Sequence, residues 1–232
     1  MPRMTTASAP ILDALELQNG AEPTHTLLWL HGLGDSGDGW EPAIRLMARP
    51  NWPTLRVVLP HAPVRAVTGN QGMRMRAWYD IADFSGIDNR ADQGGIDESV
   101  ALIEALIARE AERGVPPQRI VLGGFSQGAV MTLAVGARRT APLAGLVALS
   151  SYLPAPERQL AQVSAAAAAQ PVFMAHGLHD PLVLYRYGET AAAQLRERGF
   201  AVDWRDYPIQ HEASDAELAA AGDWIARRFA AA

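Results

Sequence analysis

Short unbroken apolar runs, separated by longer amphipathic stretches, constrain this chain more than any other feature. Val57-Val58-Leu59 and Ile120-Val121-Leu122 are continuous rather than alternating, as strands covered on both faces require. Comparable runs place strands at Thr26–His31, Arg56–Leu59, Arg119–Gly123, Gly145–Leu149, Pro171–Ala175 and Ala201–Tyr207. Between them lie helical patterns. Ile96–Arg113 sets Val100, Ile103, Leu106 and Ile107 on one face and stops at Gly114 and Pro116. Gln127–Arg138, Tyr187–Arg198 and Ser214–Phe229 read the same way, the last opening with Ser214 and Glu217 at capping-box spacing. Strands alternating with helices predict an α/β fold with a mostly parallel central sheet and helices on both faces. Leu12–Leu17 is expected as an added edge strand within an N-terminal segment, residues 1–24, and residues 25–232 as one domain. The Ala-rich stretch Ser164–Gln170 is expected to end a surface helix. Pro60 to Gly95 reads as one long irregular stretch, a length that in compact domains accompanies function.

Two absences narrow the chemistry. The 232 residues contain no Cys, which removes disulfides, thiolate nucleophiles and thiolate metal sites. All 20 basic residues are Arg, which removes Schiff-base chemistry, Ser-Lys dyads and the P-loop lysine. A nucleophilic enzyme built from this alphabet must use Ser, Thr, Asp or Glu. The formal net charge of −5 argues against nucleic acid or an anionic membrane as the main partner. No run approaches the roughly 18 apolar residues of a membrane span, so stable membrane insertion is not expected. The first ten residues lack a continuous apolar core of the secretory type, which makes a cytoplasmic address the expectation.

Gly124-Phe125-Ser126-Gln127-Gly128 matches G-x-S-x-G directly after one expected strand and directly before an expected helix. In a nucleophile elbow, small flanking residues let a strained Ser protrude, and the helix N-terminus behind it favours developing negative charge. The competing reading, an ordinary Gly-rich turn, does not account for the strand–helix context. A serine hydroxyl needs a base, and in the α/β-hydrolase fold the chain order is Ser, then Asp or Glu, then His. Of six histidines, His25, His31 and His61 precede Ser126. His176 and His179 would need an acid earlier in the chain, with Glu157 a weak candidate. His211 follows the last expected strand, where a loop can bring it to the nucleophile. Among the acids between Ser126 and His211, Glu189 and Glu197 fall on a helix, and Asp203 and Asp206 fall in or near that last strand. Asp180 lies just beyond the carboxyl end of Pro171–Ala175, where such sites gather. The reading is therefore Ser126 as nucleophile, His211 as base and Asp180 as the acid that orients it. The residue after the nucleophile, Gln127, supplies one oxyanion-hole N–H. A second is expected from the Gly-rich loop His31-Gly32-Leu33-Gly34-Asp35-Ser36-Gly37.

His31–Gly37, Pro60-His61-Ala62-Pro63, Trp78-Tyr79-Asp80-Ile81, Gly123–Gly128, Leu149–Pro154 and His176–Pro181 together resemble the phospholipase/carboxylesterase family, in the same order and across about residues 25 to 229. The resemblance implies an α/β-hydrolase without a large cap domain. It implies hydrolysis of carboxylic esters and, in some members, thioesters or lysophospholipids. No cofactor is expected, and metal hydrolysis is disfavoured because His176 and His179, at i and i+3 in a loop, lack a nearby third ligand set. It assigns the triad to Ser126, Asp180 and His211 and the oxyanion donors to the backbone of Leu33 and Gln127. Gln210, Ala129 and Leu184 depart from the family pattern without touching a catalytic side chain. Members often form dimers, so a homodimer is one expectation beside the small-molecule ester substrate.

The expected activity is serine carboxylesterase action on short-to-medium acyl esters through an acyl-enzyme. Acyl-protein thioesterase or lysophospholipase activity is the alternative within the same chemistry. A catalytically inactive binding protein is the alternative from another class, and no triad residue is missing to support it. Met73, Met75, Trp78 and Phe84 are unusually apolar for irregular backbone. Met73, Met75 and Trp78 are therefore expected to line an acyl groove, where flexible Met side chains adapt to varied chains; fastening the loop to the core is the competing role.

Overall fold

Leu27 and Trp29 point to one side of their strand, Leu28 and Leu30 to the other, and all four are fully buried. That period of two, with both faces apolar, forces helices onto each side of the sheet. The computed structural model describes residues 11–83 and 91–232. Seven strands form the sheet: β1 (Ala14–Gln18), β2 (His25–Leu30), β3 (Leu55–Pro60), β6 (Ile120–Phe125), β7 (Gly145–Leu149), β8 (Val172–Gly177) and β9 (Val202–Tyr207). Their order is β1-β3-β2-β6-β7-β8-β9, with β1 antiparallel to β3 and every other pair parallel. Helices α2 (Gln93–Glu112), α3 (Gln127–Arg138) and α6 (Tyr185–Glu197) pack into the layer that receives Leu28 and Leu30. Helices α1 (Glu41–Met47) and α7 (Asp215–Ala230) close the opposite layer over Leu27 and Trp29. No large cap domain is inserted among the described residues.

The edge strand starts two residues later than Leu12–Leu17 and ends one later, with Leu15 opposite Leu59 and Leu17 opposite Val57. Helix α2 starts earlier than expected because the Asp92 side chain accepts the Gly94 N–H at 3.0 Å and caps it. The stretch after Pro60 is not irregular throughout. It folds into an antiparallel hairpin, β4 (Val64–Val67) with β5 (Met73–Arg76), turning at Gln71 (φ 55°) and Gly72 (φ 75°). Alternating Arg and apolar residues over four-residue strands carry too little pattern to distinguish them from loop. Phe84 lies outside the described residues. The Ala-rich stretch yields one helical turn, α5 (Ala165–Ala168), capped by Ser164, and α4 (Pro156–Gln159) is similarly short. At α7 the capping box forms only by half. Ser214 Oγ accepts the Glu217 N–H at 3.3 Å, but the Glu217 carboxyl is fully buried and makes no well-formed hydrogen bond, the Ser214 backbone N–H acting on it only weakly.

Candidate active site

β2 connects toward one edge of the sheet and β6 toward the other, so a crevice opens beyond their carboxyl ends, where open α/β sheets place their sites. Ser126 sits there as the residue between β6 and α3, with φ 53° and ψ −118°. A non-glycine residue in this region is strained, and the surrounding packing holds it there. A Cβ at Gly128 would collide with the carbonyl oxygens of Leu30 and His31, and one at Gly124 would lie 2.6 Å from the Gly128 carbonyl. Gly128 is thus required by the close approach of α3 to the end of β2, and Gly124 by the approach of α3 to its own strand β6.

The loop after β8 reaches the same place. Leu178 N donates to Tyr207 O at 2.8 Å and His179 N to Ile209 O at 3.0 Å, so the loop stays paired with the segment that leaves β9. That pairing delivers Asp180 to His211. His211 Nδ1 lies 2.6 Å from Asp180 Oδ2, and His211 Nε2 lies 2.9 Å from Ser126 Oγ. The other carboxylate oxygen of Asp180 accepts the N–H groups of Leu182 and Val183 at 2.9 and 2.8 Å. Burial pushes the Asp180 carboxyl up, but hydrogen bonds from His176 and His211, the His211 charge and the Val183 N–H outweigh it and hold the group well below the usual carboxylate range. An ionised Asp180 fixes the proton on Nδ1 of His211, leaving Nε2 to accept from the Ser126 hydroxyl. The Phe125 ring packs 4.9 Å from the imidazole and backs it. Of the rejected acids, Asp203 pairs with Arg205 and Asp206 stands opposite His176 in the β8–β9 register.

Gln127 and Leu33 both border the cavity next to Ser126. Gln127 is the first residue of α3, so its N–H has no intrahelical acceptor. The loop that carries Leu33 is braced by His31, whose Nε2 accepts the Ala62 N–H at 3.0 Å while Nδ1 donates to Gly32 O at 2.7 Å. Burial lowers the pKa of His31, consistent with this neutral role. Sequence reasoning missed three supports, the first set by partners distant in the chain and the other two by the path of the loop around Asp180. The Gln127 side chain accepts the Trp78 N–H at 2.8 Å and donates to Tyr79 O at 2.9 Å. His176, fully buried, donates from Nε2 to Val183 O at 2.7 Å and stands 3.5 Å from Asp180 Oδ2. The loop after Asp180 supplies cavity wall from Pro181 to Val183.

The cavity holds about 710 Å³ and its remaining apolar wall comes mainly from Trp40, Ala43, Phe125, Ile81 and Tyr152. Met73, Met75 and Trp78, expected to line an acyl groove, do not line this cavity. Met73 is 64% exposed on the hairpin. Met75 accepts from the Asn70 amide through its sulfur and packs beside Gly34. Trp78 is fully buried, its indole N–H bonded to His31 O at 2.9 Å, and so serves the core. Among the described residues no three His, Cys, Asp or Glu side chains are grouped to hold a metal ion, and no helix is long and apolar enough to cross a membrane.

The arrangement provides a general base aligned on a hydroxyl, an anion to orient that base, and N–H groups beside the nucleophile, the parts that acyl transfer requires. Residues 13–228 match the sequence pattern of the phospholipase/carboxylesterase family. An acyl-protein thioesterase 1 from Yarrowia lipolytica is 37% identical over 93% of this chain and 97% of its own. The crystal structure of SOBER1 from Arabidopsis thaliana superposes with a TM-score of 0.82 at 32% identity, covering 88% of this chain and 98% of that one. Esterase PE8 superposes equally well, TM-score 0.82, at 26% identity over 94% and 99% of the two chains. The chain therefore belongs to the phospholipase/carboxylesterase family of α/β-hydrolases and is a hydrolase of ester or thioester bonds.

Proposed function

We propose that the chain is a serine carboxylesterase that cleaves short-to-medium acyl esters through an acyl-enzyme carried on Ser126. The observation that carries this reading is the unbroken run of contacts Asp180–His211–Ser126, at 2.6 and 2.9 Å, on the wall of a largely apolar cavity. His211 Nε2 takes the hydroxyl proton as Ser126 Oγ attacks the acyl carbonyl carbon. The oxyanion rests on the N–H groups of Leu33 and Gln127, each contributing about 3 kcal/mol in comparable sites. Collapse breaks the bond to the leaving group, which departs with the proton from His211. Water then attacks the acyl-enzyme with His211 again as base, returning Ser126 and the carboxylic acid. A thioester follows the same steps with a thiol leaving group. The thioesterase name of the Yarrowia lipolytica relative favours that second reading.

Matched series of p-nitrophenyl esters and acyl thioesters, from acetyl to hexadecanoyl, test both. Turnover of short-to-medium esters is expected, with Ser126→Ala reducing it at least a thousandfold because only binding and oxyanion terms survive. A fluorophosphonate probe should label the wild type and not the variant. Residual activity of Ser126→Ala above about a thousandth of wild type, or labelling at another residue, would overturn the assignment. Turnover confined to thioesters would replace the first reading by the second.

A further inference from the structure

We infer that Tyr152 is a partition that sets the longest acyl chain the site accepts, by separating the active-site cavity from a second cleft behind it. The inference rests on the proposed esterase reading and deepens it. Tyr152 lines the cavity that contains Ser126 and also lines a cleft of about 230 Å³, and among the described residues no other borders both. The far side of that cleft is α6, through Tyr187, Thr190 and Gln194, and its floor is Leu153 with Pro156 at the start of α4. Among the described residues, Tyr152 is thus the shared wall of the catalytic cavity and the second cleft.

Two observations indicate that this wall is held in place. The Tyr152 hydroxyl lies 2.9 Å from the hydroxyl of Tyr79, which is fully buried and belongs to a different part of the chain, so the ring is pinned at its tip. The backbone is pinned as well. Ser150 (φ 51°) and Ala155 (φ 47°) are two of the four non-glycine residues with positive φ among the described residues, and they bracket the segment that carries Tyr152. Strain of this kind persists where surrounding structure over-determines a conformation, and it concentrates at functional sites. A flexible wall would need neither device.

An acyl chain attached to Ser126 and directed toward Tyr152 gains about fourfold in kcat/KM for each methylene it buries, until it meets the ring. Longer chains must then fold back or leave the cavity. Removing the ring joins the two spaces and lets the chain continue past α6.

The experiment is the p-nitrophenyl ester series from two to sixteen carbons on wild type, Tyr152→Ala, Tyr152→Leu and Tyr152→Phe, with fluorophosphonate labelling to count folded, competent sites. Tyr152→Ala and Tyr152→Leu should move the optimum to longer chains and raise the dodecanoyl-to-butanoyl ratio at least tenfold. Tyr152→Phe keeps the ring and should keep an optimum close to that of wild type. Thr190→Trp added to Tyr152→Ala refills the cleft from the α6 side and should reverse the gain. Unchanged chain-length profiles in labelled Tyr152→Ala and Tyr152→Leu would overturn the partition while leaving wild-type esterase activity intact. Absence of wild-type turnover and labelling would instead remove the esterase reading beneath it.

Discussion

Replacing Gln127 with Ala isolates what its side chain does, because the backbone N–H beside Ser126 stays in place and Ala is a better helix former. The side chain is 2% exposed and makes two hydrogen bonds to one backbone segment, to Trp78 N at 2.8 Å and Tyr79 O at 2.9 Å. Trp78 and Tyr79 are themselves fully buried, so water does not replace either bond without opening the core. Each orphaned buried group costs about 1–3 kcal/mol, and the pair therefore costs about 2–6 kcal/mol. Against a typical total of about 5–15 kcal/mol this is a large loss. Gln127→Glu still accepts from Trp78 N but, when ionised, sets a buried charge against Tyr79 O, so at neutral pH it should cost at least as much. Urea unfolding followed by tryptophan fluorescence measures both, with unchanged m-values establishing that the same transition is compared. Ester hydrolysis by folded Gln127→Ala should fall by less than the roughly hundredfold that loss of an oxyanion donor produces. A destabilisation under about 1 kcal/mol would refute the claim that this side chain satisfies the Trp78–Tyr79 backbone.

Glu217 gives the sign of a pH effect. Burial pushes its carboxyl up to about 8 from an ordinary 4.5, against a smaller pull from the Ser214 backbone. The folded chain thus keeps a proton between about pH 4.5 and 8 that the unfolded chain has lost. Its contribution to stability is fully present below about pH 4.5, falls as pH rises through that window by up to about 1.4 kcal/mol per unit, and levels off above it. Glu217→Gln should flatten the fall and gain most over wild type near pH 8; parallel urea midpoints at pH 5 and pH 8 would contradict this. The hairpin and the core give a further contrast. Met73→Ala should change stability by no more than about 0.5 kcal/mol and leave the acyl-chain optimum where it is, whereas Trp78→Ala should cost about 3–5 kcal/mol. A shifted optimum in Met73→Ala would return the hairpin to the acyl groove.

The sheet and the candidate nucleophile were legible before any coordinates because both rest on local rules. Continuous apolar runs can satisfy themselves only as doubly covered strands, and G-x-S-x-G between a strand and a helix needs its glycines for a backbone approach a few residues away. Chain order, with placement just beyond the ends of expected strands, then pointed to His211 and Asp180. What the sequence did not carry depends on which side chains meet across long separations. The strand order, with β1 beside β3 and β6 at the centre beside β2, sets which loops share the crevice. The Gln127 clamp joins residues 48 and 49 positions apart, and the cavity wall gathers Trp40, Ile81, Tyr152 and Val183 from four segments. Met73 and Trp78 differ by five positions, yet one faces solvent and the other fills the core. Composition makes both apolar; only the path of the hairpin and the packing of Trp78 under His31 decide which of them water can reach.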